Sequence, residues 1–230
     1  MAAVVSGEWI SITRGRVPRE MVLVGGSAVA AVALAGLDQP LWAVALIAVS
    51  AATFGIWRRA AWISGGIVYA AGLGVALVVI RADPVEGLRA LGFVAAVVWG
   101  TDIAAYFAGR RFGGPKLWPA VSPNKTWSGA LGGAAAATLA GVVVIWVTGG
   151  SVTGVLAIVA LALSVISQLG DLFESSVKRR FGVKDASRLI PGHGGLMDRV
   201  DGLTFAVVAA ALIGWAHSGG ADVGQGLLVW

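Results

Sequence analysis

The stretch VKDASRLIPGHGGLMDRVDG, Val183 to Gly202, packs three aspartates, four glycines, one lysine, two arginines and a histidine into twenty residues. Hard carboxylate oxygens suit Mg2+, which is usually held by one or two carboxylates together with substrate phosphates. Lys184 and Arg199 offer the charge that neutralises the remaining phosphate oxygens. The run PGHGG places three glycines in five residues, letting backbone N–H groups approach an anion. Just upstream, Asp171, Glu174 and Lys178 follow i, i+3, i+7 spacing and share one helix face, as do Asp198 and Asp201 at i, i+3. Metal-assisted phosphate chemistry is the reading these types favour. Structural ion pairs of the acids with Lys178, Arg179 and Arg199 are the plainer alternative, and a proton or ion pathway is a third.

A second segment, GRRFGGPKLWPAVSPNKTWSG from Gly109 to Gly129, has similar chemistry. Ser122, Asn124, Lys125 and Thr126 present hydroxyl, amide and ammonium donors just before a helix, where free N–H groups attract phosphate. It is not a Walker loop, because the required glycines would fall at Pro119 and Asn124. By itself it reads equally well as a basic loop with a Ser-Pro turn. His193 either caps a turn or contacts phosphate, and no transition-metal spacing is present, the other histidine being the distant His217. Cysteine is absent, which excludes disulfides and thiolate metal sites.

The elements that must position these groups are membrane helices. Of the 230 residues 57% are hydrophobic and 13% charged, far from the roughly 25% charged residues of soluble domains. Apolar runs lie at about 21–37, 41–57, 61–80, 88–108, 127–147, 153–176 and 200–217, each near the length that crosses a ~30 Å hydrocarbon core. The expected fold is all-α, a polytopic bundle of about seven spans forming one membrane domain over 1–230. Fifteen of the seventeen basic residues, including Arg16, Arg58 and Arg59, fall on one side of this arrangement, so the N-terminus and both polar loops are expected in the cytoplasm. The connections around 37–40, 81–87 and 148–152, with the C-terminal tail, then face outward. The first twenty residues lack a basic stretch followed by an apolar core, so insertion is expected to rely on the spans themselves.

Asp102, Asp171 and Glu174 lie inside these spans, where a charge costs about 2.5–3.5 kcal/mol without a partner. Asp102 precedes Arg110 by eight residues and Asp171 precedes Lys178 by seven, placing both roughly 10–12 Å below the same ends of their helices. The sixth and seventh spans form a hairpin around Val183–Gly202, which would bring Asp171 toward Asp198 and Asp201. The fifth span carries Gly129, Gly133, Ala137 and Gly141 at four-residue intervals, a small face for packing within the bundle or for a homodimer.

SSVKRRFGVKDASRLIPGHGGLMDRVD, Ser175 to Asp201, resembles the full signature of the phosphatidate cytidylyltransferases, or CDP-diglyceride synthetases. DIAAYFAGRRFG (Asp102 to Gly113), SPNKTW (Ser122 to Trp127) and GDLFES (Gly170 to Ser175) are similar to that family in the same order. The resemblance covers about 97–203, leaving 1–96 as variable N-terminal spans and 204–230 as the end of the last span and a tail. It implies transfer of a cytidylyl group from CTP to phosphatidic acid, with Mg2+ and scope for a second cation, in the inner membrane, with the site facing the cytoplasm. It implies no nucleic-acid partner. Asp171 and Asp198 match family acids associated with cation binding; Asp201 and Asp102 are the further expected metal ligands, and Asp171, Asp198 and Lys125 the expected catalytic set. Ser122, Asn124, Thr126, Lys178, Arg179, Lys184, Asp185, Gly192, His193, Gly194, Gly195 and Arg199 are expected to line the substrates. Ser128 departs from the pattern, which usually has Glu there. A polyprenol kinase using CTP and a cation-coupled transporter are the rival readings. The CDP-alcohol phosphotransferase pattern D-G-x-x-A-R is not met, since Asp201-Gly202 continues as Leu-Thr-Phe.

Overall fold

The computed structural model describes residues 1–15, 17–57, 60–192 and 194–230. Arg16, Arg58, Arg59 and His193, used above for orientation and phosphate contact, lie outside the described residues. The helices are α1 (Ala2–Arg14), α2 (Pro18–Gly36), α3 (Pro40–Ala52) with a π-helical turn over Thr53–Trp57, α4 (Ala61–Ala82), α5 (Gly87–Phe112), α6 (Trp127–Val147), α7 (Gly154–Arg180), α8 (Met197–Ser218) and α9 (Val223–Leu228). Two short strands, β1 (Lys116–Trp118) and β2 (Ser122–Thr126), form an antiparallel hairpin.

Helices stand at all seven expected positions, and among the described residues six are long and apolar enough to cross a membrane. The exception is the shorter apolar helix Pro40–Ile56. Helix starts follow local chemistry. Pro18 and Pro40 open α2 and α3 at positions where a missing N–H costs nothing. Thr126 caps α6 by accepting from the Gly129 N–H at 3.1 Å.

The helices fall into two compact units. The first comprises Met1–Val79 and Val177–Val200. Its core is aromatic. Trp9 of α1 is 1% exposed, stacks on Tyr69 with ring centroids 5.3 Å apart, and donates its indole N–H to the Trp62 carbonyl at 2.7 Å. Trp62 in turn meets Phe181 edge-on at 4.9 Å and lies under the Arg180 guanidinium. Gly66 permits this packing, because a Cβ there would stand 2.5 Å from the indole Cδ1 of Trp9. Gly66→Ala is therefore expected to lower stability by about 1–3 kcal/mol through overpacking, read as a lower melting temperature of the detergent-solubilised protein.

The second unit comprises Ile80–Ser176 and Asp201–Trp230. The small face of α6 is taken up by α5: a Cβ at Gly133 would lie 2.8 Å from the Thr101 carbonyl, and one at Gly141 2.8 Å from the Phe93 ring. Packing within the chain thus occupies the surface that motivated the dimer alternative. The membrane parts of α7 and α8 approach as a hairpin, with Gly170 against the Asp201 carbonyl and Gly202 against that of Ser167. At one end, Asp83 accepts from the Gln225 N–H at 2.7 Å and Arg89 donates to the Thr148 carbonyl at 2.9 Å. Three segments expected on one side of the membrane, around 81–87, 148–152 and the C-terminal tail, therefore do meet.

Candidate active site

Among the described residues each unit holds a lysine–aspartate pair. In the second unit, β2 carries Lys125, whose ammonium donates to Oδ2 of Asp171 on α7. The other oxygen of Asp171 receives a long contact from the Ser175 hydroxyl, at 3.3 Å. Asp102 on α5 lies near both Asp171 and Lys125. Asp201 accepts from the Gly202 N–H at 2.7 Å, and its backbone lies against Gly170, the residue before Asp171. The β-hairpin, rather than an open loop, sets the donors' directions: Lys125 is half-buried, Asn124 is exposed, and Ser122 pairs across from Trp118. Thr126 is buried and its hydroxyl is engaged in the α6 cap. Ser128 donates to the Gly113 carbonyl, tying the end of α5 to the start of α6.

In the first unit, Lys178 and Asp198 pair at 2.6 Å with side chains only 11% and 7% exposed. Oδ2 of Asp198 also accepts from the Ala186 and Gly195 N–H groups, both at 2.8 Å. One carboxylate thus gathers the end of α7, the loop and the start of α8. Gly194 has φ +83°, in the region that favours glycine, and a Cβ there would stand 2.6 Å from Oδ2 of Asp198. An Ile190–Gly194 backbone bridge closes the turn. Gly192 and Asp185 are exposed, as are Lys184 and Arg199. Arg179 donates to the Val183 carbonyl at 3.2 Å. A cavity of about 590 Å³ is lined by Ser11 and by Val183–Arg188. Two cations, Lys184 and Arg188, stand on its wall.

Sequence reasoning missed α1 altogether, and with it Glu8 and Ser11. Glu8 is 6% exposed, and its carboxylate accepts from the Ser187 hydroxyl at 2.6 Å and from the Leu196 and Met197 N–H groups at 3.0 and 2.7 Å. The signal was present: Val5, Trp9 and Ile12 recur at helical spacing and are buried on one face.

Among the described residues, no three aspartate, glutamate or histidine side chains converge as a ready metal cage. Mg2+ does not require one, since substrate phosphates and water commonly complete its shell. Two of the four acids expected to bind a cation, Asp171 and Asp198, each hold a lysine ammonium here. That donor chemistry fits Mg2+.

The helices and these acid–lysine pairs define a polytopic, helical membrane-type protein with a glycine-rich polar segment between apolar hairpin arms. The chain belongs to the cytidylyltransferase family, whose model matches residues 1–216. It is 53% identical over 152 residues to a phosphatidate cytidylyltransferase of Brucella suis, covering 66% of this chain and 55% of that protein. It is 47% identical over 131 residues to the phosphatidate cytidylyltransferase of Haemophilus influenzae, covering 54% and 45%. Against that of Staphylococcus saprophyticus it is 47% identical over 121 residues, covering 52% and 46%. The matches span about half the length of these curated relatives.

Proposed function

We propose that this chain transfers a cytidylyl group from CTP to phosphatidic acid, forming CDP-diacylglycerol and pyrophosphate at the cytoplasmic face of the inner membrane. The observation carrying this reading is the family match along residues 1–216, with relatives of that name. The two lysine–aspartate pairs supply chemistry that suits it.

A phosphate oxygen of phosphatidate attacks the α-phosphorus of CTP. The new P–O bond forms as the bond to the oxygen bridging the β-phosphorus breaks, and pyrophosphate leaves with that electron pair. Bringing two polyanions together makes positioning and charge neutralisation the main tasks of the protein. Lys125 and Lys178 are assigned to phosphate oxygens, each oriented beforehand by its aspartate. Lys184 and Arg188 draw phosphate into the cavity, and Asp198 holds the glycine loop in shape. A phosphate monoester has its second pKa near ~6 and is largely ionised at neutral pH, so no general base is needed. Mg2+, when bound, supplies charge neutralisation on the triphosphate; Asp171 with Asp102, and Asp201 beside them, are the residues assigned to hold it. In the first unit both oxygens of Asp198 are engaged, one by the Lys178 ammonium and the other by the Ala186 and Gly195 N–H groups.

The test is product analysis with the purified chain, CTP, phosphatidic acid and Mg2+. One pyrophosphate per lipid converted is expected. Release of CDP with a phosphorylated lipid would instead indicate a kinase.

A further inference from the structure

We propose that Glu8, in the N-terminal helix, is a positioning residue of the active site, fastening the loop that forms the cavity wall. The inference rests on the cytidylyl-transfer reading and extends it to a helix outside the signature. Glu8 accepts three hydrogen bonds, and all three come from the segment between Ala186 and Asp198: the Ser187 hydroxyl at 2.6 Å, Leu196 N–H at 3.0 Å and Met197 N–H at 2.7 Å. The last two are among the first free N–H groups around the start of α8, so the helix is capped by an acid about 190 residues earlier in the chain.

Asp198 holds the same segment from its other side, through Ala186 and Gly195. Ala186 and Ser187 both line the cavity, so each carboxylate anchors one of two adjacent wall residues. Gly195 stands where a Cβ would come within 2.6 Å of Oε1 of Glu8, so the loop closes directly over the acid. Ser11, one turn further along α1, lines the cavity itself. Helix α1 is in turn fixed by Trp9, buried against Trp62 and Tyr69. A chain of contacts therefore runs from the aromatic core through Glu8 to the wall bearing Lys184 and Arg188.

The chemistry distinguishes an acceptor from a filler. A carboxylate can accept from all three donors. A glutamine of nearly the same shape cannot, since in either amide orientation its NH2 faces a backbone N–H. Glu8→Gln therefore keeps the volume but sets an N–H against the Leu196 or the Met197 N–H, while Ser187→Ala removes one of the three bonds without opposing donors.

The experiment compares wild type, Glu8→Gln and Ser187→Ala as purified full chains in detergent. It measures kcat and KM for CTP, melting temperature, and hydrogen exchange of the peptide covering 186–198. Glu8→Gln is expected to lower kcat/KM for CTP by tenfold or more, mainly through a higher KM, and to speed exchange at Leu196 and Met197. Ser187→Ala is expected to follow in the same direction by about threefold, the scale of a single hydrogen bond. Unchanged exchange at Leu196 and Met197 in Glu8→Gln, or unchanged kcat/KM, would overturn the proposal. So would activity lost only in proportion to unfolded protein. A wild type that exchanges as expected but turns over no CTP would overturn the cytidylyl-transfer reading, while the exchange comparison would still decide the fastening.

Discussion

Asp198→Asn is expected to reduce cytidylyl transfer by about a hundredfold or more, the scale seen when an organised electrostatic contact at a reaction centre is removed. Asp198 does three jobs with two oxygens: it neutralises Lys178 at 2.6 Å and fixes the Ala186 and Gly195 N–H groups at 2.8 Å. Asparagine keeps one acceptor oxygen and turns the other position into a donor. Either Lys178 or the two loop N–H groups then face an NH2 group. The ammonium loses its Asp198 partner in a place where its side chain is 11% exposed. Breaking such a pair from one side typically costs about 3–5 kcal/mol, whereas replacing both partners with apolar groups is often close to neutral. The double variant Asp198→Asn with Lys178→Met removes the ammonium and leaves the asparagine oxygen to the two loop N–H groups, and is accordingly expected to recover much of the melting temperature lost in Asp198→Asn alone. It is not expected to recover activity. That split between stability and turnover separates a chemical role from a purely structural ion pair.

Asp171→Asn is expected to have an effect of similar size, about a hundredfold in kcat, for a different reason. Asp171 is less enclosed: Lys125 takes one oxygen, and the Ser175 hydroxyl reaches the other only at 3.3 Å. The account assigns that more open carboxylate to Mg2+, with the nearby Asp102 charge adding to the field. Removing the charge should raise the Mg2+ concentration needed for half-maximal activity, with little change in melting temperature because the pair is about a quarter exposed. Lys125→Ala is expected instead to raise KM for CTP without shifting the Mg2+ requirement upward. Titration of activity against Mg2+ at fixed CTP checks both variants. An unchanged Mg2+ midpoint in Asp171→Asn would remove Asp171 from the metal.

Much of the helical framework was legible because apolar runs of membrane length leave little else for the backbone to do. The hairpin of α7 and α8 followed from its polar interruption, while four-residue spacing marked the small face of α6 without deciding what packs on it. Partners across elements were harder. Spacing along α7 places Asp171 and Lys178 on one face, but nothing local states that Lys125, 46 residues away, arrives at Asp171. The β1–β2 hairpin escaped notice because β1 is three residues long and its register is irregular around Trp118. Thr126 followed a readable rule, a threonine before an apolar helix, and its hydroxyl caps α6. Glu8 was invisible as a site because a carboxylate in a short N-terminal helix shows no sign of the distant N–H groups it holds.

The most direct measurement uses CTP radiolabelled at the α-phosphate, with phosphatidic acid and Mg2+, and follows the label between the aqueous and lipid phases. The account predicts that label enters the lipid as CDP-diacylglycerol, only when phosphatidic acid is present, and that Asp198→Asn loses this transfer. Label that stays entirely in water while CTP is consumed, or full transfer by Asp198→Asn, would contradict it.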